Sequence, residues 1–458
     1  MKTTGTRSLI LFLLAAGFFL GLGVFLYGLA TEGGKWAVQP FNGHISGTGV
    51  SSGEGKILDR SGNVIARTKD GKRVYSEDYA TRCALVHAVG DTQGNISTGV
   101  QYQYRSELSG YNFITGLVSP TGSTNGCDVR LTLDSSLCRL ARQKLDGRNG
   151  AAALYNYKTG ELLCMVSTPD YDPQNPPKDI DTNKAYSGAY LNKVLSSTFT
   201  PGSIFKIVTS AAAIENIPDL DSRTWISNGS VVINGNKITD LGSYGRVSFK
   251  QALAKSSNVV FSQIAVEVGA QKLQAEANRM GFNSSFSLDG TAAAKSSYSV
   301  SSAAPDELGW SGVGQYTDMV NPFHMLVLMG AIANGGTPVM PYLVKSVTTP
   351  VGIPVKSGTA QTGSQLVDSS TAARLQTYMR YDVTYEYGDD LFPGLHVCAK
   401  TGTAEVGGGR KPNCWMVGFS SDSSTPYAFV VLVENTSGSV ATAGRVAGAL
   451  MTAAAGGK

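Results

Sequence analysis

A serine and a lysine three residues apart, Ser203 and Lys206, are the pair in this sequence best suited to nucleophilic chemistry. Pro201 precedes them and the apolar run 207–214 follows, a pattern that places Ser203 at the N-terminus of a helix. Residues three apart share a helix face, so the lysine amine can reach the serine hydroxyl. Burial, or a second nearby cation, favours the neutral amine, which can then act as the base. The helix N-terminus adds N–H groups that stabilise a developing oxyanion.

A second serine follows downstream in Ser256-Ser257-Asn258, at a break between two helical stretches. There Ser256 is suited to relaying a proton and Asn258 to holding a substrate amide. The same Ser-x-Asn spacing at Ser61 and Ser123 lies in turn-rich sequence ahead of Ser203, where it indicates ordinary turns.

A second lysine is offered by three Lys-[Ser/Thr]-Gly sequences. Lys158 lies between two strand-like runs and predicts a hairpin turn, whereas Lys356 lies in a Gly/Ser/Thr-rich stretch that predicts a loop or linker. Lys400-Thr401-Gly402-Thr403 instead lies in a β-rich run. On a strand, Lys400 could support Ser256 or orient a carboxylate, the two threonines could bind that carboxylate, and Gly402 would allow close backbone approach.

The elements that position these residues follow an apolar segment, residues 9–30, which contains 22 residues without a charge. A helix of that length crosses a bilayer. Lys2 and Arg7 precede it, so the expected orientation has residues 1–8 in the cytoplasm and the remainder outside. A cleaved signal peptide is the competing interpretation, although no clear cleavage site follows the apolar run. Gly17 and Gly21 form a G-x-x-x-G that would let another membrane helix approach.

The exported part is predicted to contain two domains. Residues 31–127 read as short strands broken by turns, a small β-rich module with a linker at 121–126. Residues 128–458 begin and end with β-rich runs around a mostly helical middle, 180–345. This order predicts an α+β fold in which the terminal strands form one antiparallel sheet. An alanine-rich helix is expected from about residue 439 to 454.

Composition excludes several classes of function. Lys plus Arg number 38 against 34 Asp plus Glu, a net charge of +4 without a basic cluster, so nucleic-acid binding is not expected. The six cysteines and four histidines have no metal-ligand spacing, so neither a metal nor another cofactor is expected. If the last β-rich runs form a tight hairpin, Cys398 and Cys414 could lie opposite one another and form a disulfide.

The three motifs, in this order, resemble those of penicillin-binding proteins and serine β-lactamases. The resemblance extends to the transpeptidase domain of class B high-molecular-mass penicillin-binding proteins, particularly the small penicillin-binding protein A type. It is carried by LTLD at 131–134, TGELLCMVSTPDYDP at 159–173, GVGQ at 312–315 and FPGLHVCAKTGTAE at 392–405. ILDRSGNVIA at 57–66 resembles the start of the pedestal domain of that class, which implies that residues 31–127 are a pedestal (dimerisation-like) domain.

The resemblance implies a peptidoglycan D,D-transpeptidase that cross-links stem peptides and is acylated by β-lactams. By the same resemblance, Ser203 is the nucleophile, Lys206 the base and Ser256 the proton relay. Asn258 and Lys400 would contact substrate, Gly402 would admit its backbone, and Thr401 and Thr403 would hold its carboxylate. Glycan polymerisation is not expected of the chain itself, and the implied partner is a SEDS-family membrane polymerase. Ile204 replaces the threonine common after the nucleophile.

Two alternatives stay open at this point. A membrane-anchored β-lactamase or β-lactam sensor shares the fold and all three motifs, but the pedestal of roughly 100 residues and the single short-tailed membrane helix argue against it. A non-catalytic scaffold of the wall-synthesis complex is disfavoured by the completeness of the motifs.

Overall fold

The computed structural model describes residues 2–37, 53–110 and 126–456. It begins with a long, apolar N-terminal helix. Helix α1 spans Lys2–Ala37, and its stretch Gly5–Leu29 is long and apolar enough to cross a membrane. Large apolar side chains along it are exposed, Phe12 to 70% and Leu20 to 72%. An uncovered apolar helix of this length has the character of a single-pass anchor.

A six-stranded sheet follows, in the order β15-β14-β4-β1-β2-β3. β1 and β4 are parallel, and the other neighbouring strands are antiparallel. The strands are β1 (Ile57–Leu58), β2 (Val64–Lys69), β3 (Lys72–Tyr75), β4 (Asp128–Leu131), β14 (Val344–Thr348) and β15 (Pro354–Ser357). The sheet therefore combines three strands that precede the predicted domain boundary at residue 127 with three that follow it, two of which lie after residue 343.

Helices complete this pedestal, and they were not predicted. They are α2 (Tyr79–Ala84), α3 (Val86–Val89), α4 (Val100–Gln103) and α5 (Arg105–Ser109). The expectation of strands throughout residues 31–127 is therefore wrong for 79–109, where helices of one to two turns are too short to show a helical period. The turn predicted at Ser61 is present, with Asn63 N–H donating to Asp59 Oδ1 at 2.8 Å. The turn predicted at Ser123 and nearly all of the 121–126 linker lie outside the described residues.

A five-stranded antiparallel sheet is the centre of the larger domain, in the order β17-β18-β19-β5-β6. Its strands are β5 (Gly150–Asn156), β6 (Leu162–Thr168), β17 (Val397–Ala404), β18 (Asn413–Ser420) and β19 (Tyr427–Val433). The prediction that the terminal strands form one sheet is confirmed. Every residue of β6 and β18 is buried, so both faces of the sheet are covered. The strand β17 forms one edge.

Helices and short strands surround this sheet. The remaining helices are α6 (Ser135–Leu145), α7 (Lys193–Ser196), α8 (Lys206–Asn216), α9 (Phe249–Ala254), α10 (Asn258–Val268), α11 (Ala270–Arg279), α12 (Pro305–Gly312), α13 (Pro322–Ala333), α14 (Ser369–Asp382) and α15 (Arg445–Ala454). The 3₁₀ turns are Lys184–Tyr186, Gly202–Phe205 and Asp389–Leu391, and the π-helical turns are Val383–Tyr387 and Val440–Gly444. The predicted C-terminal helix thus begins with a π turn.

The helical middle contains strands that the sequence analysis did not predict. They are β7 (Thr224–Ser227), β8 (Ser230–Ile233), β9 (Asn236–Thr239), β10 (Gly245–Ser248), β11 (Ser287–Leu288), β12 (Thr291–Ala292) and β13 (Val339–Met340), with β16 (Gln361–Thr362) further on. They pair as two-stranded ribbons. Such short ribbons bury few residues and leave little alternating pattern to read.

The cysteine hypothesis is wrong. Strands β17 and β18 do form the expected hairpin, but Cys398 pairs with Phe419, and Cys414 pairs with Thr403. Both cysteines are buried as free thiols. The hairpin register places them at opposite ends of the strand pair, which no rotamer change can bridge.

Candidate active site

Ser203 lies in the 3₁₀ turn Gly202–Phe205, immediately before α8. Gly202 has a φ of +55°, and its N–H donates to the Gly314 carbonyl at 2.8 Å. A Cβ on Gly202 would lie 2.4 Å from the Thr403 carbonyl oxygen. Two features therefore favour glycine at this position: the backbone has a left-handed conformation, and β17 lies too close to leave room for a side chain. Together these contacts fix the serine between the edge strand and the Gly314 loop.

Lys206 begins α8 and its side chain is fully buried. Its Nζ lies 3.1 Å from Ser203 Oγ, 3.2 Å from Ser256 Oγ and 2.8 Å from Asn258 Oδ1, and it also contacts the Ser256 carbonyl. Burial, and next the charge of Lys400, lower the pKa of Lys206 well below its usual value. The site thus favours the neutral amine that a general base requires.

Ser256 lies between the two lysines, in the break between α9 and α10. Its φ is +55°, which turns the chain sharply before Ser257 caps α10 by accepting the Val260 N–H at 3.1 Å. Its hydroxyl is 3.2 Å from Lys206 Nζ and 3.1 Å from Lys400 Nζ. One hydroxyl therefore connects both amines, which is the arrangement a proton relay needs.

Lys400 projects from β17 and is also fully buried. Besides Ser256, its Nζ donates to the Thr401 carbonyl at 3.2 Å and reaches Tyr387 Oη at 3.4 Å. Burial lowers the pKa of Lys400 to about 8, while the charges of Asp382 and Glu386 act against this change. Nearby carboxylate charges thus favour the charged form of Lys400.

The side-chain hydroxyls of the two β17 threonines, Thr401 and Thr403, already contact other hydroxyl groups. Thr401 N–H and Oγ1 each lie 3.1 Å from Tyr387 Oη. Thr403 Oγ1 lies 3.0 Å from Ser439 Oγ, which also donates to the Gly402 carbonyl. Since alternate residues of a strand direct their N–H groups to the same side, the Thr403 N–H faces the same free edge as the Thr401 N–H, which donates to Tyr387 Oη. A substrate backbone can be held there as an added strand.

The other Lys-[Ser/Thr]-Gly sequences lie elsewhere. Lys158 occupies the turn between β5 and β6, as predicted, and its Nζ donates to Asn334 Oδ1. Lys356 lies in β15 of the pedestal sheet, where its Nζ donates to Tyr104 Oη at 2.9 Å. The expectation of a loop at Lys356 is wrong because β15 pairs with β14. The structure brings together Ser203, Lys206, Ser256, Asn258 and Lys400.

Three residues that contact the site were not found from the sequence: Tyr387, Ser439 and Asp240. Tyr387 ends one π-helical turn and Ser439 directly precedes the other. The Asp240 carboxylate accepts the Ser257 hydroxyl at 2.7 Å, the Val259 N–H at 3.0 Å and the Ser227 hydroxyl. None of these residues belongs to a local motif, and each reaches the site through tertiary contact.

The comparisons with known proteins agree with this geometry. The model of the penicillin-binding protein transpeptidase domain matches residues 150–453. The chain belongs to that family, which confirms the family and the fold predicted from the motifs.

Particular relatives are distant in sequence. The chain is 28% identical to peptidoglycan D,D-transpeptidase PbpA of Mycobacterium tuberculosis over 62% of either protein's length, so it spans about three fifths of that relative. It is 27% identical to the PbpA of Mycolicibacterium smegmatis over 80% of each.

Solved structures share the fold over nearly the whole chain. The ceftriaxone acyl-enzyme of penicillin-binding protein A from M. tuberculosis has a TM-score of 0.78 at 24% identity, covering 89% of this chain and 99% of the other. A D,D-transpeptidase domain from Eggerthella lenta has a TM-score of 0.74 at 29% identity, covering 88% and 98%.

Proposed function

We propose that the protein is a membrane-anchored peptidoglycan D,D-transpeptidase that works through an acyl-enzyme on Ser203 and is acylated by β-lactams at the same hydroxyl. The observation that carries the proposal is the contact between the Ser203 hydroxyl and the buried Lys206 amine, 3.1 Å apart, in a site whose second lysine disfavours a charge on the first. The substrates would be peptidoglycan stem peptides, as the names of the curated relatives suggest.

In the first half-reaction Ser203 Oγ attacks the carbonyl carbon of the penultimate D-alanine, and Lys206 takes the hydroxyl proton. The N–H groups of Ser203 and Thr403 would stabilise the oxyanion. As the amide C–N bond breaks, Ser256 gives its proton to the departing D-alanine amine and takes one from Lys206, whose Nζ lies 3.2 Å from Ser256 Oγ. Asn258 is suited to bind a substrate amide, and the β17 threonines to bind its carboxylate. That carboxylate would have to share or displace the contacts of Tyr387 and Ser439.

In the second half-reaction the amine of a neighbouring stem peptide attacks the acyl carbon. It gives up a proton to the basic site as the ester bond to Ser203 breaks, and the serine recovers its proton. The same machinery opens a β-lactam ring, but there the amine stays attached to the acyl group and the enzyme remains blocked. A pair of buried amines joined by one hydroxyl can serve as base and relay in both directions.

The test is labelling of the protein with a fluorescent penicillin, comparing wild type with Ser203→Ala and following the label for hours. Durable label on wild type alone is expected. Label that is lost within seconds would indicate a β-lactamase instead, and a folded wild type that takes no label would indicate a scaffold. A soluble stem-peptide donor and an amine acceptor then provide the direct assay of cross-link formation.

The membrane arrangement is part of the proposal. Lys2 and Arg7 before the apolar stretch favour a cytoplasmic N-terminus and an extracytoplasmic catalytic domain. The proposed partner is a SEDS-family membrane glycan polymerase. Gly17 and Gly21 have nothing within 4 Å of their Cβ positions, so a second helix has room to approach there. Co-purification of such a polymerase should fall when both are changed to leucine, and should persist for Ala15→Leu with Ala16→Leu.

A further inference from the structure

The hydroxyl oxygen of Tyr387 lies among three hydrogen-bond donors of strand β17. It is 3.1 Å from the Thr401 backbone nitrogen, 3.1 Å from Thr401 Oγ1 and 3.4 Å from Lys400 Nζ. These donors are a backbone N–H, a hydroxyl and an amine, and the mechanism above assigns Thr401 to the substrate carboxylate. The phenol oxygen of the free enzyme therefore lies where donors suited to an anion converge.

The position of Tyr387 is set by the π-helical turn Val383–Tyr387, which it ends. The residue before it, Glu386, forms an ion pair with Lys255, with 2.8 Å between Oε2 and Nζ. Lys255 directly precedes Ser256, so the turn is tied to the proton-relay segment on one side and reaches β17 on the other. Short π-helical turns are rare and occur frequently at functional sites. The turn thus holds the phenol against β17 from outside the strand.

A ligand carboxylate and the phenol compete for these donors. The backbone N–H and the hydroxyl of Thr401 each carry a single proton, so a hydrogen bond to Tyr387 is one withheld from a ligand. A phenol is neutral near pH 7, whereas a carboxylate is charged and makes hydrogen bonds roughly twice as strong. A carboxylate can therefore replace the phenol, but the internal bonds that are lost reduce the net gain from binding.

We propose that the Tyr387 hydroxyl is an internal competitor that occupies the carboxylate position of the free enzyme and moves aside when a stem peptide or a penicillin binds. The inference rests on the proposed function, since it concerns how that acylation site admits its ligand. In the free enzyme the phenol satisfies donors that would otherwise lack a partner. It also makes the site selective, because only a ligand with a negative charge at this position recovers the displaced hydrogen bonds.

The substitution Tyr387→Phe keeps the ring and removes the competing oxygen. The second-order rate constant for acylation by a fluorescent penicillin should rise about fivefold, the factor that corresponds to one net hydrogen bond. The methyl ester of the same penicillin lacks the negative charge that the freed donors favour. Its rate constant should therefore change by less than about twofold in the variant.

Tyr385→Phe is the matched control. Tyr385 lies in the same π-helical turn, but its ring stacks on Tyr381 at 4.9 Å between centroids, so its acylation rates should equal those of wild type. An unchanged or slower reaction of Tyr387→Phe with the penicillin would overturn the inference, and so would an equal gain for penicillin and ester. A wild type that takes no label would overturn the proposed function instead.

A second measurement needs no variant and decides the question even if Tyr387→Phe does not fold. In a crystal structure of the wild-type penicillin acyl-enzyme, a carboxylate oxygen of the ligand should lie within about 3.2 Å of Thr401 Oγ1, and Tyr387 Oη should lie more than about 3.5 Å from it. An acyl-enzyme in which Tyr387 keeps its contacts with Thr401 and Lys400 would overturn the inference while leaving the acylation of Ser203 intact.

Discussion

Replacing Asp240 with alanine should loosen the Ser256–Asn258 segment and weaken the fold at the same time. Asp240 lies just after β9, and its carboxylate accepts hydrogen bonds from Ser227, Ser257 and the Val259 N–H. Both serines are buried. The neighbouring Thr239 carbonyl also accepts from Asn258 Nδ2 at 2.9 Å. Residues 239 and 240 thus connect the ribbon to the first turn of α10.

The expected loss of stability in Asp240→Ala can be estimated from these contacts. Three donors lose their acceptor, at about 1 kcal/mol each, and the loss of a negative charge at a helix N-terminus adds about 0.5 kcal/mol. A destabilisation of about 3–4 kcal/mol should lower the midpoint of thermal unfolding by roughly 6–8 °C at about 2 °C per kcal/mol for a large domain. Acylation should fall by about 10- to 100-fold, because a misplacement of about 1 Å at a reacting group can cost on the order of 100-fold.

The assay pairs thermal unfolding with penicillin acylation for Asp240→Ala, Asp240→Asn and a matched control. Asp240→Asn keeps an oxygen for the Val259 N–H and should show about half the shift. Asp306→Ala removes another carboxylate that contacts the β8–β9 ribbon, through Asn234 and Asn236, but it bonds to neither Ser257 nor Val259 and should leave acylation unchanged. An Asp240→Ala protein with wild-type melting temperature and acylation rate would refute this account of how the segment is held.

Three further predictions concern close packing and pH. Gly202→Ala places a Cβ 2.4 Å from the Thr403 carbonyl oxygen at a φ of +55°, so penicillin acylation should fall more than tenfold, while the distant Gly188→Ala, at a φ of +83° with nothing nearby, should acylate normally. Gly330→Ala places a Cβ 1.5 Å from Tyr155 Oη inside the core, and urea unfolding should show a loss of about 2–3 kcal/mol. Burial raises the pKa of Glu276 to about 7, so the folded state binds the extra proton. Stability from this group is present below pH 4.5 and is lost as the pH rises towards 7, and Glu276→Gln should abolish that slope in thermal melts.

Local patterns were enough to find the proposed catalytic pair, because Ser203 and Lys206 meet within one helical turn. Lys400 could be separated from Lys158 and Lys356 because only its motif lies in a long β-rich run, and the structure places it beside Ser256. Composition and element order likewise predicted the central antiparallel sheet.

Partners that are distant along the chain could not be found in this way. Tyr387 reaches Thr401 across 14 residues and Asp240 reaches Ser257 across 17, in each case through a bend whose geometry depends on tertiary packing. The disulfide hypothesis failed for a related reason. The register of a hairpin depends on its turn and on which side chains face the core, and the positions of the cysteines specify neither. The short helices at 79–109 gain their stability from packing against the pedestal core and carry almost no periodic signal.

The strand order has a consequence for how the chain is made. Strands β5 and β6 leave the ribosome as a hairpin whose open edge, Gly150–Asn156, stays unpaired until Tyr427–Val433 arrives more than 270 residues later. The pedestal sheet is likewise incomplete during synthesis, since one edge of β4 stays unpaired until Val344–Thr348 has been made. Both sheets therefore close late in synthesis, and an almost fully buried strand with an unpaired edge is a site for association with other chains in the meantime. Premature termination before residue 427 should yield insoluble protein, however intact the three motifs upstream are.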